Sequence, residues 1–376
     1  MGKSRSARPA VVVLMGGRVA QRHASMKTGL EVHRNIDHRQ YRSIPVEISA
    51  DGQWLFPAAA SGPTVANRPA WRSIKEACEV LCCSLGQAVD RIRKLRPRAV
   101  FIALQGDLGE SGWIQGLLRV AALPFTGSDV AACSMATDKV LAKALYAQAG
   151  LVTPKGIVVH ARLPARERRA LLSGAIRAFG VSCVVKPVDT NSSVGVALSS
   201  TLQQAFEATD VALAKFSDRV LVEEFVEGPE ITCAVYSDHH IPCGRSVVLS
   251  RLYSPSPIFT YQAKYFGSRV REEFDIGLSE DVARRIREAA QTAHTVLGCE
   301  GITRTDFRVR GNQPYVLETN VVPAMVQMAF FEKAAENLNT NVTGLLTMLV
   351  EQGFHRWQHS RTHSKRHRPI YGRGFA

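Results

Sequence analysis

The sequence has no long hydrophobic run. No stretch of 18 or more apolar residues occurs in its 376 residues, so we expect no helix that spans a membrane. The apolar run Ala10–Met15 follows a basic N-terminus but is short and ends in Gly16-Gly17. Such a run is typical of a buried first strand rather than of a signal peptide. The sequence therefore predicts a cytoplasmic protein with no membrane contact.

The sequence also lacks Cys-x-x-Cys pairs, internal repeats and a Walker A motif. Its eight cysteines are scattered, which favours free thiols in a cytoplasmic protein over a disulfide framework. A metal site at Cys78, Cys82 and Cys83 is the less favoured alternative, because no histidine cluster lies near them in sequence. The missing Walker A sequence excludes a P-loop nucleotide-binding fold.

Positive charge is what the chain has in excess. The formal net charge is +14, and residues 355–376 contribute six basic side chains, no acidic ones and four interleaved histidines. We interpret residues 355–376 as a basic, solvated and disordered tail. A contact between this tail and nucleic acid is the less favoured alternative to an extension that has no partner.

Short apolar runs alternate with helical patterns in the first third of the chain. Strands are predicted at Ala10–Met15, Arg42–Ile48 and Ala99–Leu104, the second at a sheet edge because it contains a proline. A long amphipathic helix is predicted at residues 73–94. The alternation predicts a parallel α/β sheet over residues 1–133, with ligands at its carboxyl edge.

Two further units are predicted. Residues 134–230 alternate helices and strands in a compact α+β pattern, and residues 231–354 open with strands. Near the end of the third unit, the strands Gly301–Arg310 and Pro314–Thr319 form a hairpin around Gly311-Asn312.

This hairpin carries a set of polar side chains. Arg304 and Asp306 lie two apart on one strand, and Glu318 and Asn320 do so at the end of the other, so each pair shares a face. Two carboxylates and an amide oxygen on one face suit Mg²⁺ held together with phosphate. An arginine beside them can stabilise developing negative charge. A surface strand pair joined by a salt bridge is the alternative for this set taken alone.

Upstream residues favour a nucleotide site. Lys139 and Lys186 lie in separate elements, and a small polar loop, Asp189–Gly195, follows the second lysine. The backbone N–H groups of such a loop can close over phosphates. The apolar segment Val222–Val226 suits an adenine slot, and Glu230 lies within reach of ribose hydroxyls.

Taken together, the chain resembles the ATP-grasp superfamily and, within it, the D-alanine–D-alanine ligases. The resemblance covers about residues 10–350. It rests on the order and spacing of these segments: Val100–Leu118, Pro124–Ser128, Thr137–Lys139, Val184–Pro187, Ser192–Gly195, Tyr261–Tyr265, and the hairpin set. It implies a three-subdomain ATP-grasp architecture, α/β and α+β. The expected parts are an N-terminal parallel α/β domain, a small lid domain and a C-terminal antiparallel-sheet catalytic domain.

The resemblance also implies a reaction and a role for each matched residue. ATP would drive the joining of two D-alanines through an acyl phosphate, for peptidoglycan precursors, with two Mg²⁺ ions that Mn²⁺ can replace. The implied metal ligands are Asp306, Glu318 and Asn320. The implied nucleotide contacts are Lys139, Lys186, Ser193, Glu223, Glu224, Val226, Glu230 and Lys264. The implied catalytic set is Arg304 for the oxyanion, Ser192 and Tyr265 for lid closure, and Gln21 for the first amino acid. A cytoplasmic homodimer acting on small amino acids is expected.

Seven positions depart from the family pattern. Gln21 and His23 stand where glutamates are usual, Gln105 where histidine is usual, Asn191 and Ala324 where glycine is usual, Ala329 where serine is usual and Phe330 where leucine is usual. The nucleotide and metal positions are kept, whereas the amino-acid positions are changed. Ligation of D-alanine is the leading hypothesis. Ligation of another amino acid or small acid, and a weak or inactive paralogue, are the alternatives.

Overall fold

The computed structural model describes eight stretches of the chain: residues 8–18, 21–58, 73–180, 182–191, 193–254, 257–258, 271–325 and 328–366. Within them the strands form three sheets. None of the helices in these stretches combines the length and the apolar character needed to cross a lipid bilayer. All eight cysteines are free thiols, as expected.

The first sheet is parallel from its middle strand to one edge strand and antiparallel at the other end. Its order is β4-β3-β2-β1-β5, formed by Ala10–Gly16 (β1), Arg42–Ile48 (β2), Trp54–Pro57 (β3), Val80–Cys83 (β4) and Ala99–Ile102 (β5). β1 runs parallel to both β2 and β5, whereas β3 runs antiparallel to β2 and β4. The carboxyl ends of β1 and β5 therefore meet at one edge of the sheet.

Two local predictions for this region are wrong. β2 is not an edge strand, because it lies between β1 and β3. The proline is tolerated because β3 pairs only with Glu47 and Ile48, beyond Pro45. The long helix expected at residues 73–94 is a short 3₁₀ turn, strand β4 and then helix Leu85–Leu95. Ser84 begins that helix with a capping box.

Four helices accompany this sheet. They are α1 (Arg22–Asn35), α2 (Leu85–Leu95), α3 (Asp107–Glu110) and α4 (Trp113–Val120). α1 follows β1, and α3 follows β5, so both begin at the carboxyl edge where the expected substrate residues lie.

The central sheet is antiparallel, in the order β6-β9-β7-β8. Its strands are Gly156–His160 (β6), Cys183–Pro187 (β7), Ala197–Ser199 (β8) and Arg219–Glu224 (β9). Helices α7 (Ala165–Phe179) and α8 (Leu202–Lys215) bury their apolar faces in the same core. The two helices between the first and central sheets are α5 (Val130–Thr137) and α6 (Lys139–Gln148).

Helices α5 and α6 do not share the central core. Ala132, Ala142 and Tyr146 pack instead with residues of the third sheet, such as Ile231 and Phe307. The start of the expected 134–230 unit is therefore packed against the C-terminal sheet, because the apolar faces of both helices are buried there.

The third sheet is antiparallel, in the order β12-β11-β10-β13-β14. Its strands are Glu230–Ser237 (β10), Arg245–Tyr253 (β11), Arg271–Glu273 (β12), Gly301–Arg310 (β13) and Gln313–Asn320 (β14). Helix α9 (Glu280–Val296) covers one face. Helices α10 (Met328–Asn337) and α11 (Val342–Arg366) share a core with the other face and with the first sheet.

The expectation of a disordered tail is wrong for residues 355–366, which continue α11. Trp357 donates its indole N–H to the carbonyl of Ala122 at 2.7 Å, and Arg356 pairs with Glu300 at 2.8 Å. These contacts anchor the helix despite its basic composition. Residues 367–376 lie outside the described stretches.

Candidate active site

The β13–β14 hairpin brings the expected polar set together. The strand register places Arg304 opposite Asn320 and Asp306 opposite Glu318, with an irregularity immediately after Asp306. Directly opposed residues of an antiparallel pair lie about 4.5–5.5 Å apart at Cβ. The proximity of the two carboxylates predicted from the sequence is therefore confirmed.

Asp306 is buried, with 2% of its surface exposed. Its Oδ1 accepts a hydrogen bond from the Thr232 hydroxyl at 2.7 Å and another from Arg304 Nε at 3.1 Å. Thr232 lies opposite Asp306 on β10. The sequence did not single out Thr232, because its pairing with Asp306 joins strands 74 residues apart.

Asn320 has its amide oxygen oriented by the backbone, since Oδ1 accepts from the N–H of Val322 at 3.0 Å. Within the described stretches, no group of three or more His, Cys, Asp or Glu side chains is arranged to hold a metal. Asp306, Glu318 and Asn320 thus offer two carboxylates and one amide oxygen. A cation held by so few protein ligands must complete its shell with phosphate oxygens and water, which is how proteins bind Mg²⁺.

A buried cluster of three charges lies beside the hairpin. Glu223 on β9 is 1% exposed and pairs through Oε1 with Lys186 of β7 and through Oε2, at 2.8 Å, with Lys143 of α6. Burial opposes the charge of Glu223, but the two ammonium groups outweigh it and lower the pKa of this carboxyl. Burial alone would lower the pKa of Lys186. The attraction of the Glu223 carboxylate is stronger, so the pKa of Lys186 is raised. Burial lowers the pKa of Lys143.

Lys143 was not predicted from the sequence. The only available signal was its spacing, four residues after Lys139 in the same helix, which places both lysines on one face. Lys139 is buried and donates to the carbonyl of Thr190, at the start of the polar loop. The same helix therefore contacts both the loop and the charge cluster.

The polar loop is stabilised by its own contacts and by the N-terminal unit. The Thr190 hydroxyl donates to the carbonyl of Val194 at 2.9 Å. Ser193 and Gly195 have φ of 59° and 75°, in the left-handed region. The side-chain amide of Gln21 donates to the carbonyl of Asn191 at 3.3 Å, across 170 residues.

A cleft lies between the central and third sheets. Its apolar lining includes Val184, Phe225, Val226, Ile258 and Leu317. Its polar lining includes the expected residues Lys186, Ser193, Glu223, Glu224, Glu230, Asp306 and Glu318. One cleft therefore joins the apolar slot to the metal-ligand candidates.

Two arginines pair with the acids of this cleft. Arg308 contacts Glu230 at 2.9 Å, and Arg310 contacts Glu224 at 3.1 Å. Arg308 also lines the cleft and has its guanidinium 5.2 Å from the ring centre of Phe225. Neither arginine was predicted from the sequence, although both follow Asp306 at every second position of β13.

Two amide side chains lie on the N-terminal side of the site. Gln105, three residues after β5, donates to the carbonyl of Val322 at 3.0 Å, next to the hairpin. Gln21 is 5% exposed, whereas His23 on α1 is exposed. The changed positions at Gln21 and Gln105 therefore both link the N-terminal unit to the rest of the site.

Glu110 is a buried acid on this side that the sequence analysis did not select. Its Oε1 accepts from the backbone N–H of Gly106 at 3.0 Å. Burial raises the pKa of Glu110 to about 8, and the nearby charges of Glu318 and Asp107 add to the rise. Glu110 is thus largely protonated at neutral pH.

Three of the expected site residues, Ser192, Lys264 and Tyr265, lie outside the described stretches. The remaining expected residues lie around the cleft or at its N-terminal side. The roles assigned to them remain predictions.

Comparison with known proteins gives consistent matches along the chain. Residues 10–128 match the family model "D-ala D-ala ligase N-terminus", and residues 145–351 match "D-ala D-ala ligase C-terminus". A D-alanine–D-alanine ligase of Nitrosomonas europaea is 32% identical over 342 residues, covering 91% of this chain and 96% of that protein.

Solved structures show the same fold. The D-alanine–D-alanine ligase of Coxiella burnetii superposes with a TM-score of 0.79 at 21% identity, covering 96% of this chain and 99% of that one. The Bacillus anthracis ligase complexed with ATP gives a TM-score of 0.69 at 22% identity, covering 94% and 99%. The ATP-grasp fold expected from the sequence is confirmed.

Proposed function

This chain belongs to the D-alanine–D-alanine ligase family, and we propose that it joins two D-alanines with ATP and Mg²⁺ through an acyl phosphate. One observation carries the proposal. Asp306 and Glu318 face each other in a cleft that also contains Lys186 and an apolar slot. Metal ligands, a phosphate-binding cation and a nucleobase site are thereby combined in one place.

The proposed nucleotide site uses both ends of the cleft. Val226 and its apolar neighbours would pack on adenine, Glu223 and Glu224 would bind the base, and Glu230 would accept from ribose hydroxyls. Lys139, Lys186 and Ser193, together with Lys264, would contact the phosphates. Bound Mg²⁺, held by Asp306, Glu318 and Asn320, would neutralise charge on the phosphates.

The reaction follows from this placement. A carboxylate oxygen of the first amino acid attacks the γ-phosphorus, the bond from that phosphorus to ADP breaks, and an acyl phosphate forms. The amine of the second amino acid then attacks the acyl carbon, and phosphate leaves as the proton of the amine is lost. Arg304 would stabilise the oxyanion of that step. Ser192 and Tyr265 would help to exclude water from the acyl phosphate.

The choice of substrate admits a second candidate, because the residues changed from the family pattern are those proposed to bind the amino acids. Gln21 replaces a carboxylate with an amide, and loss of a charge-assisted hydrogen bond costs roughly 1.5–3 kcal/mol. A related carboxylate–amine ligase with another amino acid or small acid is therefore the second candidate. We further propose a cytoplasmic homodimer that supplies dipeptide for peptidoglycan and cell shape.

Phosphate release with a substrate panel tests these candidates. The protein is incubated with ATP, Mg²⁺ and either D-alanine, other D- and L-amino acids, or 2-hydroxy acids, and products are identified by mass spectrometry. D-Alanyl-D-alanine as the fastest product is the expected result. Another preferred acid would support the second candidate, and no release with any member would favour an inactive paralogue. Light scattering after size exclusion measures the oligomeric state.

A further inference from the structure

Lys143 is a buried cation for which the proposed reaction gives no role. It lies in the second turn of α6, and its side chain is 11% exposed. Its Nζ lies 2.8 Å from Oε2 of Glu223, while Lys186 contacts the other carboxylate oxygen. The carboxylate is therefore held between two ammonium groups, one on each oxygen.

The two lysines differ in what else they face. Lys186 lines the nucleotide cleft together with Ser193 and Glu318. A polyphosphate in the cleft would attract Lys186 away from Glu223. Lys143 comes from a different element and would still neutralise the carboxylate after such a shift. Without Lys143, Glu223 would either retain Lys186 or remain as a buried charge without a partner, which is strongly unfavourable.

We propose that Lys143 is a positioning residue that keeps Glu223 ionised and oriented in the nucleobase slot while Lys186 binds phosphate, so that preference for a 6-aminopurine depends on Lys143. The inference rests on the proposed use of the cleft by a nucleotide.

The predicted selectivity follows from hydrogen-bonding chemistry. An ionised carboxylate only accepts hydrogen bonds. The 6-amino group of adenine donates, whereas the 6-oxo group of hypoxanthine only accepts and would be repelled by Glu223. If Glu223 were protonated, its O–H group could donate a hydrogen bond to the 6-oxo group, and the preference for the 6-amino group would be lost. ITP, which has a 6-oxo group in place of the 6-amino group of ATP, is therefore the informative probe.

The test compares Lys143→Met, which removes the charge, with Lys143→Arg, which keeps it. Lys215→Met, at an exposed lysine that ends α8, is the matched control. Affinity for ADP with Mg²⁺ is measured by calorimetry, and KM and kcat are measured with ATP and with ITP.

For Lys143→Met we expect KM for ATP to rise about tenfold. We expect the ATP-to-ITP ratio of kcat/KM to fall by a similar factor, which is the size expected for one charged hydrogen bond. We expect kcat at saturating ATP to change little, and Lys143→Arg to restore most of the ratio.

A double-mutant cycle with Glu223→Gln tests whether Lys143 acts through Glu223. The two substitutions should be strongly non-additive in the ATP-to-ITP ratio. If Lys143→Met does not fold, Lys143→Gln, which is shorter and uncharged, is measured in its place and should lose the same selectivity. An unchanged ratio, or additive effects in the cycle, overturns the inference. If the unmodified protein neither binds ADP nor turns over ATP, the proposed function fails, and that outcome is distinguishable from an unchanged ratio in an active enzyme.

Discussion

The two sides of the candidate active site are held together by different chemistry. On the nucleotide side, buried opposite charges pair between elements, as Glu223 does with Lys186 and Lys143. On the side of the N-terminal sheet, Gln21 and Gln105 each reach across the site through a neutral amide that donates to a backbone carbonyl.

This difference matches what each side is proposed to bind. A polyphosphate and divalent cations need fixed charges, and buried charges persist only when they are paired. Glu110, an acid on the amide side, has its pKa raised to about 8 by burial. Burial thus opposes the charge of this acid, whereas on the nucleotide side the charges of Glu223, Lys186 and Lys143 are paired with one another.

Removing a charge from the nucleotide side should have the largest effect. We expect Glu318→Gln to lower kcat at least about a thousandfold, because loss of even one neutral donor at a reacting centre costs about 10²–10³. The measurement is phosphate release at saturating substrates, with Glu280→Gln, an exposed residue in the first turn of α9, as the control. Retention of more than about a tenth of the activity would contradict the metal assignment.

The stability of the fold is expected to depend on pH through His294, apart from any pH dependence of the two sides of the site. This buried histidine bonds to Thr303 at 2.7 Å and to Ser237 at 2.8 Å, and burial lowers its pKa from 6.5 to about 4. The unfolded chain therefore takes up a proton at higher pH than the folded one. Stability from this group is present above pH 6.5 and is lost as the pH falls towards 4, by roughly 3 kcal/mol.

Urea unfolding at several values between pH 7 and pH 4 measures this loss. His294→Gln keeps hydrogen-bonding capacity without the titration, so its stability should fall less steeply with acid than that of the unmodified protein. Parallel curves for the two proteins would show that His294 does not contribute.

A finer change on the nucleotide side removes one donor to a proposed metal ligand. Thr232→Val keeps the shape of the side chain but deletes the hydrogen bond to Asp306, which is 2.7 Å long. We expect the Mg²⁺ concentration for half-maximal activity to rise about tenfold, as is usual when a partner of a metal ligand is lost. Titration of Mg²⁺ at saturating ATP is the measurement. An unchanged requirement would mean that Asp306 does not depend on Thr232.

The smallest effect is expected on the amide side. Gln21→Leu removes a single hydrogen bond to Asn191, so KM for the amino acid should rise about fivefold. KM for ATP should be unchanged, and Gln203→Leu on exposed α8 is the control. If KM for ATP rose as much as KM for the amino acid, the division into two chemically distinct sides would be wrong.

Predictions from the sequence succeeded where the determining contacts are local. The hairpin strands Gly301–Arg310 and Gln313–Asn320 have a short turn and alternating faces, so the proximity of Asp306 and Glu318 followed from spacing. Their direct opposition depends on the irregularity immediately after Asp306, which the sequence pattern did not predict. The helix predicted at residues 73–94 failed because its pattern spans a strand. Pairing of Val80–Cys83 with β3, and the capping box at Ser84, decide where the helix begins.

The sequence by itself determined the family, the fold and the residue types of the proposed nucleotide and metal site, since these depend on motifs in a given order. Only the tertiary structure decided which buried groups are partners. Lys143 with Glu223, Thr232 with Asp306, and Trp357 with Ala122 are far apart in the chain. The physical reason is that pairing a buried polar group depends on which atoms packing brings within hydrogen-bonding distance, and local periodicity does not encode that.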